Sequence, residues 1–280
     1  MTNLLQSDIE KFVAIAHRLA DAASNQTLAH FRAHGLATDN KQMGPGFDPV
    51  TEADRGAEAA MRAILAEERP NDGVFGEEEA RTHGTSGLTW VLDPIDGTRA
   101  FISGVPLWGT LIALDDGAQG RIGVIEQPYL QERLTGVIGA QNTAYLDRPE
   151  GRVPLSVRGC HALSQATMIT TDPFLFADDE WAAFQALREH VRLIRYGTDC
   201  YGYALLAMGQ VDLVVETGLQ AYDIASHVPL ITAAGGIVTA WDGGDCRWGG
   251  QVVAAASAEI HAQALEILAP FAQSPVAAKA

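Results

Sequence analysis

Lysine is almost missing from this 280-residue chain: Lys11, Lys41 and Lys279 are the only three, and none follows a glycine. A Walker-type phosphate loop is therefore excluded. Cysteine is equally scarce. Cys160, Cys200 and Cys246 form an odd set without CxxC spacing, which argues against a disulfide framework or a thiolate zinc site and suits a reducing, cytoplasmic setting. No GxSxG or GxGxxG occurs, and the nearest approach, Gly44-Pro45-Gly46, has Pro49 where the third glycine belongs; serine hydrolase and dinucleotide-binding readings lack support. No run of about 18 apolar residues is present, and Asp8, Glu10 and Lys11 interrupt the apolar stretch a signal peptide needs, so a soluble, unprocessed chain without membrane contact is expected. Positive charge is sparse as well: 19 Lys and Arg against 35 Asp and Glu leave a formal net charge of −16, which disfavours nucleic acid as a partner.

What remains is an ordinary globular composition, 47% hydrophobic and 19% charged, long enough for two structural units. Ile9, Phe12, Ile15, Ala16 and Leu19 recur at helical spacing and predict a helix from Ser7 to about His34, capped by Ser7 or Asp8 and stopped by Gly35. Residues 36–50, with Gly44, Pro45, Gly46 and Pro49, predict an exposed loop. A second helix begins near Thr51, with Ala57, Met61, Ile64 and Leu65 as its buried stripe. Short β-branched or aromatic runs follow at 73–79, 88–94, 107–114, 121–128, 132–139 and 142–147, separated by turn residues, and predict sequential, mostly antiparallel strands. Beyond Arg152, strand-like and helix-like runs alternate strictly to the end, the pattern of an α/β unit. The expected organisation is an N-terminal helix-plus-sheet lobe over 1–150 and a C-terminal α/β lobe over 151–280, with one cleft between them.

The chemistry concentrates in WVLDPIDGTRAF, residues 90–101. A strand delivers Asp93, Pro94 fixes the bend, Asp96 follows, and Gly97 and Thr98 open a short helix. Two bare carboxylates about 4 Å apart repel by roughly 4 kcal/mol at an effective dielectric near 20, so a cation is expected in that turn. The donors at hand, carboxylates, the Ile95 carbonyl and the Thr98 hydroxyl, are all oxygen, which selects Mg²⁺, with Mn²⁺ as the alternative. The N–H groups of Gly97 and Thr98 suit a phosphate oxygen. Read one at a time, Asp96, Asp223 and the DPVT segment before Asp54 are ordinary helix caps, and Glu77-Glu78 an ordinary acidic loop. His30 and His34 share a helical face, but Phe31 stands where a zinc motif needs glutamate; they read as surface residues near a helix end. His227 reads as a packed structural histidine.

The order decides. Asp48, Thr51 and Asp54 in DPVTEAD, then Gly76-Glu77-Glu78, then DPIDGT, then Tyr222-Asp223 ahead of a helix and the Gly235-Gly236 pair resemble the inositol monophosphatase family of metal-dependent phosphomonoesterases over most of the chain. The resemblance implies a layered αβαβα sandwich, two or three Mg²⁺ ions, a homodimer, and a site where the two lobes meet. It implies that Glu77, Asp93 and the Ile95 carbonyl hold one ion and Asp93, Asp96 and Asp223 a second. It further implies that Glu77 and Thr98 orient the attacking water, with Asp54 holding the Thr98 hydroxyl.

Within the family, Arg99 directly after DGT and the stretch RYGTDCYGYALLAMGQVDLVVETGL resemble the bacterial histidinol-phosphate phosphatases. Asp199 and Glu216 add two acids beyond the metal set, and carboxylates hold an ammonium or imidazolium better than a polyol; helix capping is the competing role for Asp199. The expected substrate-facing residues are Gly97, Thr98, Arg99, Asp199 and Glu216, and Arg195 is a further candidate. The expected reaction is hydrolysis of a small-molecule phosphate ester, L-histidinol phosphate first and inositol 1-phosphate or a sugar- or nucleotide-derived monophosphate second. An inactive metal-binding regulator would require a lost ligand, and Glu77, Asp93, Asp96, Thr98 and Asp223 are all present. The pairs Ala221-Tyr222, Ser226-His227 and Thr232-Ala233 depart from the commoner residues of the family, which concerns the substrate wall and not the metal ligands.

Overall fold

The computed structural model describes residues 6–33, 38–40 and 49–274. Helix α1, Gln6–His30, buries Ile9, Phe12, Ala16, Leu19 and Ala23 along one stripe. It stops four residues earlier than predicted, and Arg32 just beyond it turns to a φ of 60°. His34, Gly35, Gly44, Pro45, Gly46 and Asp48, named above, lie outside the described residues. The stretch expected as a loop is strand at both ends: β1, Thr38–Asn40, pairs antiparallel with β2, Pro49–Thr51. Thr51 then caps α2, Glu52–Glu68, in a reciprocal capping box with Asp54. α1 and α2 pack on each other and on one face of a seven-stranded sheet.

That sheet runs in the order β3 (Gly73–Gly76), β4 (Thr89–Asp96), β5 (Gly109–Asp115), β6 (Gly120–Gln127), β7 (Glu132–Val137), β8 (Thr143–Arg148) and β9 (Gly151–Pro154). Only β3 and β4 are parallel; the rest are antiparallel neighbours. Trp90, Leu92, Ile112, Leu114 and Val124 face α1 and α2, while Leu111, Ile125 and Leu134 join the core on the other side. Burial on both faces explains why the run over β5 is continuously apolar.

The second sheet is assembled from β10 (Thr167–Thr170), β11 (Leu193–Tyr196), β12 (Leu213–Gln220), β13 (Ile237–Ala240) and β14 (Gly249–Ala255), with helices α4 (Asp178–His190), α5 (Asp199–Ala207), α6 (Ala221–Ile224), α7 (His227–Ala233) and α8 (Ala258–Leu268). Its order is β11-β10-β12-β14-β13, with β10 parallel to both neighbours and β14 antiparallel to both of its own. Strict alternation is thus corrected, since β13 and β14 form a hairpin with no helix between them. β14 ends in two alanines, weak strand formers, and it becomes a strand because β12 and β13 flank it. The helix expected between Asp223 and Gly235 is broken after Ile224, where α6 ends, and resumes as α7 at His227; Pro229, lacking an N–H, cannot donate to the Ala225 carbonyl.

The middle layer fixes the architecture. α7 packs on β6 and β7 from one side and touches β13 on the other, while α6 reaches β4, β5, β12 and β14. The approach is close enough to require glycine in the strands: a Cβ at Gly123 would lie 1.9 Å from the Ser226 carbonyl oxygen, and one at Gly136 2.2 Å from the Leu230 Cα. α4 and α8 pack together on the outer side, α8 against β14. Helices, sheet, helices, sheet, helices form the αβαβα sandwich that the sequence implied.

Candidate active site and metal centre

The centre is built where β4 loses its register. Pairing of β4 with β5 is regular through Asp93 and resumes only at Asp96. Pro94 has no N–H to give the ladder, and its carbonyl instead accepts the Thr110 hydroxyl at 2.8 Å. The irregularity buries Asp93 and Ile95, each 1% exposed, and leaves Asp96 turning into α3, Thr98–Ile102. Gly97 between them has a φ of +81°, and a Cβ there would come within 3.0 Å of the Asp199 side chain. Glycine is required twice over.

Oxygens of Asp93, Asp96 and Asp223 all lie within 4.8 Å of one another. Asp223 reaches this point from α6, where its Oδ2 accepts the Gln220 N–H at 2.6 Å. Glu77, in the turn after β3, lies near enough to Asp93 for its charge to raise that carboxyl. That turn is anchored by Glu58 of α2, whose buried carboxylate accepts the N–H groups of Glu78 (2.8 Å) and Glu79 (3.1 Å) and pairs with Arg62 (2.7 Å). A Cβ at Gly76 would fall 2.1 Å from the Glu58 Oε1.

Electrostatics say what the cluster lacks. Burial, then the charges of Glu77, Asp96 and Asp223, push the Asp93 carboxyl well above the carboxylate range. Burial, then Asp199 and Asp223, do the same to Asp96, against the N–H of Cys200 that it accepts at 2.6 Å. The Asp93 Oδ1 is buried without a hydrogen-bond partner. Converging carboxylates with an orphaned oxygen fit a hard cation, which satisfies the lone pairs and cancels the repulsion.

The other predicted residues divide. The Thr98 hydroxyl donates to the Ile95 carbonyl at 3.0 Å, whereas an Asp54 oxygen accepts the Thr51 N–H (2.8 Å) and hydroxyl (2.5 Å). Asp199 opens α5 with a φ of +43° and lines, with Gly97, Thr98, Arg99, Glu216 and Asp223, a cavity of about 270 Å³ beside the carboxylates. Arg99 sits 61% exposed at the rim, 4.0 Å from Asp172. Burial pushes Asp199 up to about 6, opposed by Arg99. Burial also pushes Glu216 up to about 8, opposed by hydrogen bonds from the Thr171 N–H (2.7 Å) and from the hydroxyls of Thr171 (2.9 Å) and Thr170 (3.2 Å). Arg195 is exposed on β11 and does not line the cavity. His227 is packed as expected, stacked on Tyr203, and burial pushes it down to about 3; it also lines the cavity.

Sequence reasoning missed Glu58, Cys200, Thr171 and Tyr203. Only Glu58 left a signal, a charge one residue after Ala57 and three before Met61 on the buried stripe of α2.

A layered αβαβα fold with carboxylates from both halves of the chain converging beside one cavity defines a metal-dependent hydrolase class. The inositol monophosphatase family model matches residues 8–273, and the chain belongs to that family of phosphatases acting on phosphate monoesters. It is 40% identical to the chloroplastic bifunctional phosphatase IMPL2 of Arabidopsis thaliana, over 95% of this chain and 78% of that protein. It is 35% identical to a histidinol-phosphatase of Mycobacterium tuberculosis, over 86% of this chain and 91% of that one. Among solved structures, an inositol monophosphatase from Zymomonas mobilis superposes with a TM-score of 0.80 at 42% identity, covering 92% of this chain and 98% of the other.

Proposed function

We propose that the chain is a Mg²⁺-dependent phosphatase of L-histidinol phosphate. The observation that carries the reading is the pair Asp199 and Glu216, two carboxyls in the cavity beyond the metal set. Burial raises both, so an ammonium arriving between them supplies the charge that lets them ionise. Histidinol-phosphatases among the relatives support the same substrate. A second reading, inositol 1-phosphate, is favoured by the name of the Zymomonas mobilis structure.

Glu77, Asp93 and the Ile95 carbonyl are assigned to one ion, and Asp93, Asp96 and Asp223 to a second, with a third as an expectation from the family. Bound Mg²⁺ supplies an acidified water and stabilises the departing oxygen. Glu77 and Thr98 orient the water. Turning the Thr98 hydroxyl off the Ile95 carbonyl frees the carbonyl to ligate and the hydroxyl to hold water, and Asp54 is the acceptor assigned to the turned hydroxyl. The N–H groups of Gly97 and Thr98 face phosphate, and Arg99 neutralises charge at the rim. A cytoplasmic homodimer is the accompanying expectation, to be read by light scattering.

Phosphate release from histidinol phosphate, inositol 1-phosphate and a nucleoside monophosphate, with and without chelator, tests the reading. Histidinol phosphate is expected to be turned over best, and chelator to abolish turnover. Equal or better turnover of inositol 1-phosphate removes the histidinol assignment.

A further inference from the structure

The cavity beside the carboxylates has two unlike walls. One is acidic, with Asp199 and Glu216; the other is aromatic, with Tyr203 and His227. Asp199 and Tyr203 stand four residues apart on α5 and so share one face of the helix. The Tyr203 and His227 rings lie 4.2 Å apart at an interplanar angle of 15°, and both residues are buried, at 3% and 1% exposure. The pair is fixed in place by its packing, with the His227 Nδ1 3.3 Å from the Ser226 hydroxyl.

The Tyr203 hydroxyl is the exception to an otherwise satisfied wall. It is buried and meets no hydrogen-bond partner, and among the described residues lining the cavity no other carries such an atom. Burial, then the charge of Glu216, raises the phenol well above its ordinary value, so it is a neutral O–H donor in the cavity that Glu216 also lines. Glu216 is held by Thr170 and Thr171 and can only accept when ionised. A donor and an acceptor in one cavity with an aromatic wall suit a flat heteroaromatic ring that carries one N–H and one bare nitrogen. A polyol has no aromatic face to lay on such a wall.

We propose that Tyr203 is a specificity-determining residue whose O–H reads the acceptor nitrogen of a ring on the leaving group, with Glu216 taking the ring N–H and His227 holding the phenol in position. This rests on the histidinol phosphate reading and adds the ring edge to it, with the amine still between Asp199 and Glu216, where its charge keeps Glu216 ionised. A buried polar atom without a partner destabilises the free protein, and a ligand that supplies the partner recovers that loss in binding.

Tyr203→Phe removes the O–H and keeps the ring stack. The test compares kcat/KM for histidinol phosphate and for O-phosphoethanolamine, which keeps an amine and lacks a ring, in the wild type and in this variant. The ratio of the two is expected to fall about tenfold in Tyr203→Phe, and the metal-free melting temperature to stay level or rise. A ratio within twofold of wild type, or a melting temperature lowered by several degrees, overturns the proposal, the latter by showing that the hydroxyl has a protein partner. Wild-type preference for inositol 1-phosphate overturns the substrate reading and this proposal together. Preference for histidinol phosphate with an unchanged ratio overturns this proposal alone.

Discussion

Asp93 and Asp212 are equally buried, each 1% exposed, and they behave in opposite ways. Burial alone would raise Asp212, yet the Arg158 fork (2.7 and 2.5 Å) and the Thr167 N–H (2.7 Å) outweigh it and hold the carboxyl below its usual range. Asp93 is driven up by burial and by three neighbouring acids. Glu58 with Arg62 and Asp115 with Arg247 likewise face an arginine, although burial still raises Asp115 above its usual range. Most of the scaffold's buried carboxylates thus carry their counter-charge with them, while those at the centre repel one another until a cation arrives. Acidity of the sequence as a whole does not distinguish the two regions; the partner of each carboxylate does.

The sharpest way to break this contrast is Asp96→Asn. Ester hydrolysis should fall by at least about 10²-fold, because a ligand and its charge are lost together, while the chelated protein should melt higher through relief of repulsion. A chelated variant melting below chelated wild type would mean that the cluster is a structural network. Next in size is Arg158→Ala, which strands a buried carboxylate and should cost about 2 kcal/mol in urea unfolding, a figure kept low because the arginine side chain is 38% exposed. A loss no larger than that of an isolated surface ion pair, under about 1 kcal/mol, would erase the difference between scaffold and centre.

The smallest effect is a pH dependence. Glu216 is raised from 4.5 to about 8 in the folded protein, so between those values the native state binds more protons than the unfolded one and stability falls as pH rises. Metal-free, ligand-free wild type should therefore melt lower at pH 8 than at pH 5, and Glu216→Gln should flatten the slope. Identical slopes would place the titration elsewhere, in Asp199 with its value of about 6 or in Asp93 and Asp96, which burial and neighbouring acids also raise.

Much of the centre was legible because its residues are local in sequence. Asp93, Pro94, Asp96 and Gly97 form one turn, and the proline and the glycine each have a backbone reason to be there. Asp223 could be read only through resemblance, since a lone aspartate at a helix start looks like a cap and in the structure also serves as one. Tyr203 and the Cys200 N–H were hidden, and Glu58 showed only as a charge on a buried stripe, because their roles arise from contacts made between separate elements of the chain. β14 was lost for a related reason: its strand state comes from the neighbours it lies between.

By itself, then, the sequence determined the strands and helices with strong periodicity, the oxygen-only donor set and hence the hardness of the cation it calls for. Local spacing and donor chemistry suffice for these. The tertiary structure decided which of 35 acidic residues face an arginine and which face each other, and whether an aspartate sits above or below its ordinary pKa. Charge interactions fall off with distance and depend on burial, and both are set only when the sheets and the helices between them are packed together.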